Sequence, residues 1–249
     1  MVRADQLAHA AARLALVSVL LPLGLPAIAH AHLLDEPWRP MMKKGMAFRT
    51  DAITFPGWSF DATRLKEGDA IAHDGAGNFA AYCVALGRML ESYVGDSEAP
   101  NGRWRCPKLG DRWLSAVHWF HRAMTTTFDF ESLVYSGICL DTLANGGKAS
   151  GIIDMATSVL NREADDPYFD KVPAKSVKQV VKEIYERGRS QISHGTREAL
   201  RRDYSAERMR AQLFVHDVLS TYGWQVMLHE GAGDEDDLAT FLRVERTSP

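Results

Sequence analysis

Three cysteines in 249 residues, Cys83, Cys106 and Cys139, stand far apart, with no CxxC pair and no metal-ligand rhythm around them. This sparse usage argues against a disulfide scaffold and points to a reducing compartment. Cys139 lies in an apolar helical stretch and reads as core. No P-loop, GxGxxG or GxSxG occurs, so a glycine-cradled phosphate, a dinucleotide fingerprint and a nucleophile elbow are all missing. There is no internal repeat and no low-complexity tract. His118 and His121 stand at i, i+3, a spacing that can ligate a metal, but no Asp, Glu or Cys follows with ligand rhythm. The expectation is therefore no metal and no cofactor, with nearby Trp113 and Trp119 marking a packed helix.

Charge of one sign is also missing from the chain as a whole, which has a net charge of −3 and is 46% hydrophobic. The distribution is uneven. Residues 171–210 hold 11 Lys/Arg against 5 Asp/Glu, a local excess of six, so the remainder sums to −9. "EGAGDEDD" (230–237) supplies part of that deficit. A local basic excess is either a solvated helical face or a surface that meets phosphates.

The longest uncharged run is "LALVSVLLPLGLPAIAHAHLL" (14–34), interrupted by Pro22 and Pro26. Two prolines in so short a run disfavour a spanning helix. Two readings stay open: a core helix followed by a Pro-rich turn, which goes with a cytoplasmic protein and no membrane partner, or a secretory signal peptide over residues 1–31.

Residues 35–75 are rich in Gly, Pro and Asp and read as irregular chain with short strands. "NFAAYCVALGRMLESYV" (78–94) spaces its apolar residues as an amphipathic helix. "GDSEAPNGRWRCPKLGD" (95–111) reads as a linker, which divides the chain into an N-terminal region 1–110, a helical domain 111–223 and an acidic C-terminal tail 224–249. Four amphipathic helices are expected after the linker. The first covers 111–125, with Asp111 as N-cap and Leu114, Val117, Phe120 and Met124 on its apolar face. The others cover 129–147, 174–193 and 205–224, the last capped by Ser205, with a longer connection at 148–173. The expected fold is mainly α, a C-terminal helical bundle after a mixed, partly irregular N-terminal region.

The third of these helices ends in "YERGRSQISHGT" (185–196), with Gly195 where a left-handed C-cap would fall. With 20 arginines and nine histidines in the chain, random placement gives roughly 0.7 Arg-x4-His matches, so the spacing alone carries little. On a straight α-helix Arg189 and His194 would stand about 140° apart and about 7.5 Å along the axis, so they would not meet. Either the helix ends before His194 or a second copy completes the site.

"IYERGRSQISHG", with "WLSAVHWFHRAM" and "SGICLDTLA" upstream, resembles the Apea-like HEPN family over residues 111–223. The resemblance implies a HEPN-like four-helix bundle, a homodimer with two motifs facing each other, and a ribonuclease motif on Arg189 and His194. It aligns the family's helix-two glutamate with Asp141, one methylene shorter. It also puts Ser190 where active members often carry Asn, Asp or His.

The chemistry fits those residue types. RNA can be cut without metal when its own 2′-OH attacks the adjacent phosphate, which excludes DNA. Histidine moves protons near neutral pH, and a guanidinium meets the accumulating negative charge through two parallel N–H donors. His194 and Arg189 suit those roles, and Asp141 could orient the arginine. Arg187, Arg197, Arg201 and Arg202 are candidate RNA-backbone contacts. The expectation is a metal-independent endoribonuclease, a defence or toxin effector by resemblance, with RNA, a second copy and a regulatory partner protein as partners. The alternative is a non-catalytic helical module binding RNA or a protein through the same basic face. In that reading Arg189 and His194 only favour a helix C-terminus through its dipole.

Overall fold

A computed structural model describes residues 11–15, 17–19, 21–23, 47–49, 52–54, 76–94, 104–170, 174–191, 203–229 and 236–247. The described chain is mainly α. The elements are β1 (Ala47–Arg49), β2 (Ala52–Thr54), α1 (Ala76–Val94), α2 (Pro107–Thr125), α3 (Asp129–Leu143) and α4 (Lys148–Leu160). After them come β3 (Pro167–Phe169), β4 (Lys175–Ser176), α5 (Val177–Lys182), a π-helix (Glu183–Gln191), α6 (Ser205–Leu228) and α7 (Leu238–Thr247). β1 pairs antiparallel with β2, Phe48 opposite Ile53, within the stretch expected to hold short strands. β3 pairs antiparallel with β4.

The centre of the molecule is the packing of α2, α3 and α6. Leu114, Val117 and Phe120 on the predicted face of α2 are fully buried, and Met124 is nearly so. Trp113 is buried beside them and donates its indole N–H to the Leu219 carbonyl of α6 at 2.9 Å. The ring fits because position 223 lacks a side chain: a β-carbon there would lie 2.5 Å from Trp113. Polar ties hold the three helices in register. Ser132 donates to the Ala123 carbonyl at 2.8 Å. Gln212 donates to that carbonyl at 3.3 Å and to the Ser132 hydroxyl at 3.2 Å. Arg208 joins the start of α6 to the α2–α3 turn, through Asp129 at 3.0 Å and the Thr126 carbonyl at 2.9 Å.

Several boundaries differ from the sequence expectation. α2 begins at Pro107, not at Asp111, because proline at the first helical position needs no hydrogen-bond partner. Its first amides are capped from far away: Asp236 accepts from the N–H groups of Lys108 and Leu109, each at 2.9 Å. Asp111 lies one turn inside the helix, its carboxyl pushed up by burial and by the charge of Asp236. Residues 148–173 were expected to be a connection and instead contain α4, with Ile152, Met155, Ala156 and Val159 buried at helical spacing. α6 runs on to Leu228. In the segment expected to be an acidic tail, Asp236 and Phe241 are buried, and Phe241 packs on Tyr222 with ring centroids 5.0 Å apart.

The stretch 95–111 does not separate two cores. Tyr82, Leu86 and Met89 of α1 join the same buried cluster as α2 and α6, and so do Trp104 and Cys106 from within that stretch. Leu14, Val17 and Leu21 are buried in it too, as the core-helix reading of the apolar run anticipates. The Tyr82 hydroxyl donates to the Ser18 carbonyl at 2.8 Å, and the His216 ring meets the Leu21 carbonyl at 3.0 Å. Among the described residues no helix is long and apolar enough to cross a membrane.

Candidate functional site

The segment that carries the Arg-x4-His spacing begins at Ser176, which caps α5 through a reciprocal capping box with Gln179. After six residues the helix changes winding. From Glu183 to Gln191 its hydrogen bonds run i to i+5, so the single α-helix expected over 174–193 is a strand end, a short α-helix and a π-helix. π-Winding is rare, occurs mostly as single-turn bulges, and is frequent at functional sites. Nine residues of it is a long run.

Two contacts fix this segment. Gly188 lies against α3 so closely that a β-carbon would stand 3.1 Å from the Leu133 β-carbon and 3.2 Å from its carbonyl oxygen. The glycine of "ERGRS" therefore serves close helix approach. At the other contact, Glu183 is buried and paired with Lys175 and with Arg210 of α6, the latter at 2.6 Å. Burial alone would raise its carboxyl pKa. The hydrogen bonds and positive charges of Lys175 and Arg210 outweigh that and hold it below the ordinary carboxylate value. Sequence reading passed over this cluster, because Lys175, Glu183 and Arg210 look like members of a solvated basic face.

Of the predicted site residues, Arg187, Arg189 and Ser190 have their backbone in the π-helix, and their side chains lie outside the described residues. His194, Arg197, Arg201 and Arg202 also lie outside the described residues. Asp141 is half-buried in the last turn of α3, and its carbonyl accepts from Gly146 N–H at 2.9 Å. It stands eight residues beyond Leu133, about 12 Å along α3 from the crossing with Gly188. The 140° separation of Arg189 and His194 presupposes α-winding, and Glu183–Gln191, which carries Arg189, is π-wound.

His118 is half-buried, edge-on to the Trp119 ring at 5.4 Å, and His121 is buried. Burial lowers the His118 pKa, and the charges of Arg122 and Arg13 add to this. Among the described residues no group of three or more His, Cys, Asp or Glu side chains is placed to hold a metal ion. Cys139 is fully buried, its thiol pushed up by loss of solvent, and none of Cys83, Cys106 and Cys139 is in a disulfide.

Comparison of the chain with protein-family models, with curated proteins and with solved structures finds no match.

Proposed function

We propose that the chain is a metal-independent endoribonuclease in which Arg189 and His194 act on an RNA phosphate, in a HEPN-like four-helix bundle. The observation that carries the reading is the π-wound segment Glu183–Gln191. It presents the backbone of Arg187, Arg189 and Ser190 on a support anchored by Gly188 against α3 and by the Glu183 ion pairs. An element held this firmly suits a reaction whose acceleration depends on preorganised charge. The five-residue spacing of Arg189 and His194 equals the i to i+5 hydrogen-bond interval of the winding that carries Arg189. The homodimer, like the defence or toxin role, rests on the family resemblance.

In this mechanism His194 moves the proton of the attacking 2′-OH or of the leaving oxygen. Arg189 meets the charge that builds on the phosphate through paired N–H donors. Ser190 adds a hydroxyl without a titratable group. Asp141 is the acid that the family resemblance assigns to orienting the arginine. Arg187, Arg197, Arg201 and Arg202 follow the RNA backbone.

The test is incubation of the purified full chain with total RNA in EDTA, beside His194→Ala and Arg189→Ala. His194→Ala should lose about 10²–10⁴-fold in cleavage rate, the usual contribution of a placed acid–base group, and Arg189→Ala about 10²–10³-fold, the usual worth of a donor aimed at developing charge. His194→Ala should keep nearly full RNA affinity. Products should carry a 2′,3′-cyclic phosphate and a 5′-hydroxyl, because the attacking oxygen belongs to the substrate. Cleavage that stops in EDTA overturns the mechanism. RNA binding with no cleavage by wild type or variants assigns the basic face to a binding module instead.

A further inference from the structure

The end of α6 remote from the π-helix borders a cavity of about 210 Å³, lined by Arg88, Trp104, Arg105, Met227, Leu228 and His229. None of the six side chains is acidic. Arg88 comes from α1, Arg105 from the stretch before α2, and His229 follows α6, so three parts of the chain bring basic or N–H groups together. Among the described residues neither arginine has an ion-pair partner. Arg88 Nε, Trp104 Nε1 and His229 Nε2 are buried and lack hydrogen-bond partners. Buried polar groups are nearly always satisfied, so three unpartnered nitrogens around one cavity form an exception that calls for an acceptor.

The cavity is built to hold a shape. Gly110 admits Trp104: a β-carbon there would lie 3.2 Å from its indole nitrogen and 3.0 Å from Met89. Phe241 of α7 meets the His229 ring edge-on, with centroids 5.5 Å apart, which fixes the imidazole plane. Met227 and Leu228 provide an apolar wall. The volume corresponds to about seven waters, room for an anion with a group attached to it.

The geometry points to a binding site for the dianion of a phosphate monoester, with the phosphate among Arg88, Arg105 and His229 and its organic part on the Met227–Leu228 wall. Two permanent cations match a dianion, whereas a monocarboxylate would leave one of them uncompensated. Guanidinium forks also suit phosphate oxygens, which accept paired N–H donors. The site is separate from the proposed nuclease element. Arg210, which meets the start of the π-helix, and His229 are 19 residues apart, about 28 Å along the axis of α6. Its occupancy therefore does not depend on whether the chain cuts RNA.

The test is titration of the full chain with phenyl phosphate, inorganic phosphate and benzoate, followed by calorimetry and, for the two phosphates, ³¹P resonance. Phenyl phosphate should bind saturably and tightest, inorganic phosphate more weakly, and benzoate weakest. Arg88→Gln and Arg105→Gln should each weaken phenyl phosphate by about tenfold, the worth of one charge-assisted contact. A combined Arg189→Gln/His194→Ala variant should leave that affinity unchanged. Circular dichroism establishes that each variant folds. If Arg88→Gln does not fold, Arg105→Gln decides, because that residue is exposed. No saturable binding of phenyl phosphate overturns the proposal, as does binding that survives Arg105→Gln or is lost in the Arg189/His194 variant. Benzoate binding as tightly as phenyl phosphate overturns the assignment to phosphate.

Discussion

At position 223 a β-carbon would lie 2.5 Å from Cε2 and Nε1 of Trp113, a ring held on its other side by the fully buried core. Gly223→Ala must therefore displace the largest side chain of that core and lengthen its bond to the Leu219 carbonyl. Overpacking of this kind costs about 1–3 kcal/mol or more, and urea denaturation should show a lower midpoint with little change in slope. Glu183 makes a different kind of demand. Replacing it with Gln leaves Lys175 and Arg210 without their carboxylate, and breaking a buried ion pair from one side typically costs about 3–5 kcal/mol. The pH dependence follows from its lowered pKa. Glu183 binds its proton less readily in the folded chain than in the unfolded one, so the unfolded state takes up more protons as pH falls. Its stabilisation is complete above the ordinary value of 4.5 and is lost as pH drops from there through the folded value. Unfolding free energies measured from pH 7 down to pH 3 should converge for wild type and Glu183→Gln at the acid end.

The elements show where a sequence speaks and where it does not. Asp236 caps α2 through two backbone N–H groups, and loss of a cap costs about 0.5–2 kcal/mol. Asp236→Ala should destabilise by that order and speed amide exchange at Lys108 and Leu109, measurable by hydrogen–deuterium exchange. No local reading could find this cap, because its donor helix lies 127 residues earlier in the chain. The faces of α2 and α6 were legible, since burial at three- and four-residue spacing is a property of the sequence itself. α4 was missed, although Ile152, Met155, Ala156 and Val159 carry the same spacing, because Gly146 and Gly147 read as the end of structure. They are only a turn before the next helix, with Gly146 at φ 79°. The π-winding was not legible: a buried glutamate and a close-packed glycine set it through tertiary contact, and the local spacing alone reads as α. Of the candidate site, the sequence offered the segment and its residue types. Its anchors, Glu183 with Lys175 and Arg210, emerge only when α6 is packed beside it.

At the scale of the whole molecule, one hydrophobic cluster draws on residues from Leu14 to Phe241. Removal of residues 1–31 would take Leu14, Val17 and Leu21 out of it, each fully buried apolar side chain being worth about 1.5–3 kcal/mol. A loss of about 5 kcal/mol is comparable with the whole stability of an ordinary domain. The shortened chain should therefore melt many degrees lower or populate a loosened state that binds a hydrophobic dye, and calorimetry beside dye fluorescence would show which. An unchanged melting temperature would mean that α1, α2 and α6 close over the gap unaided.

The Asp236 cap also orders events in time. Synthesis runs from the N-terminus, so α2 emerges with two of its first amides unanswered and waits while more than a hundred further residues are made. Trp113, in that same helix, has to find Leu219 and the space at Gly223 before its ring is sheltered. Until residue 236 arrives, the nascent chain carries an open helix end beside an incompletely covered core, a form suited to recognition by chaperones. A purified chain cut back after Leu228 keeps α1 to α6 and leaves the start of α2 uncapped. Limited proteolysis of that shortened chain should cut near residue 107, and the same treatment of a chain that includes Asp236 should spare the site.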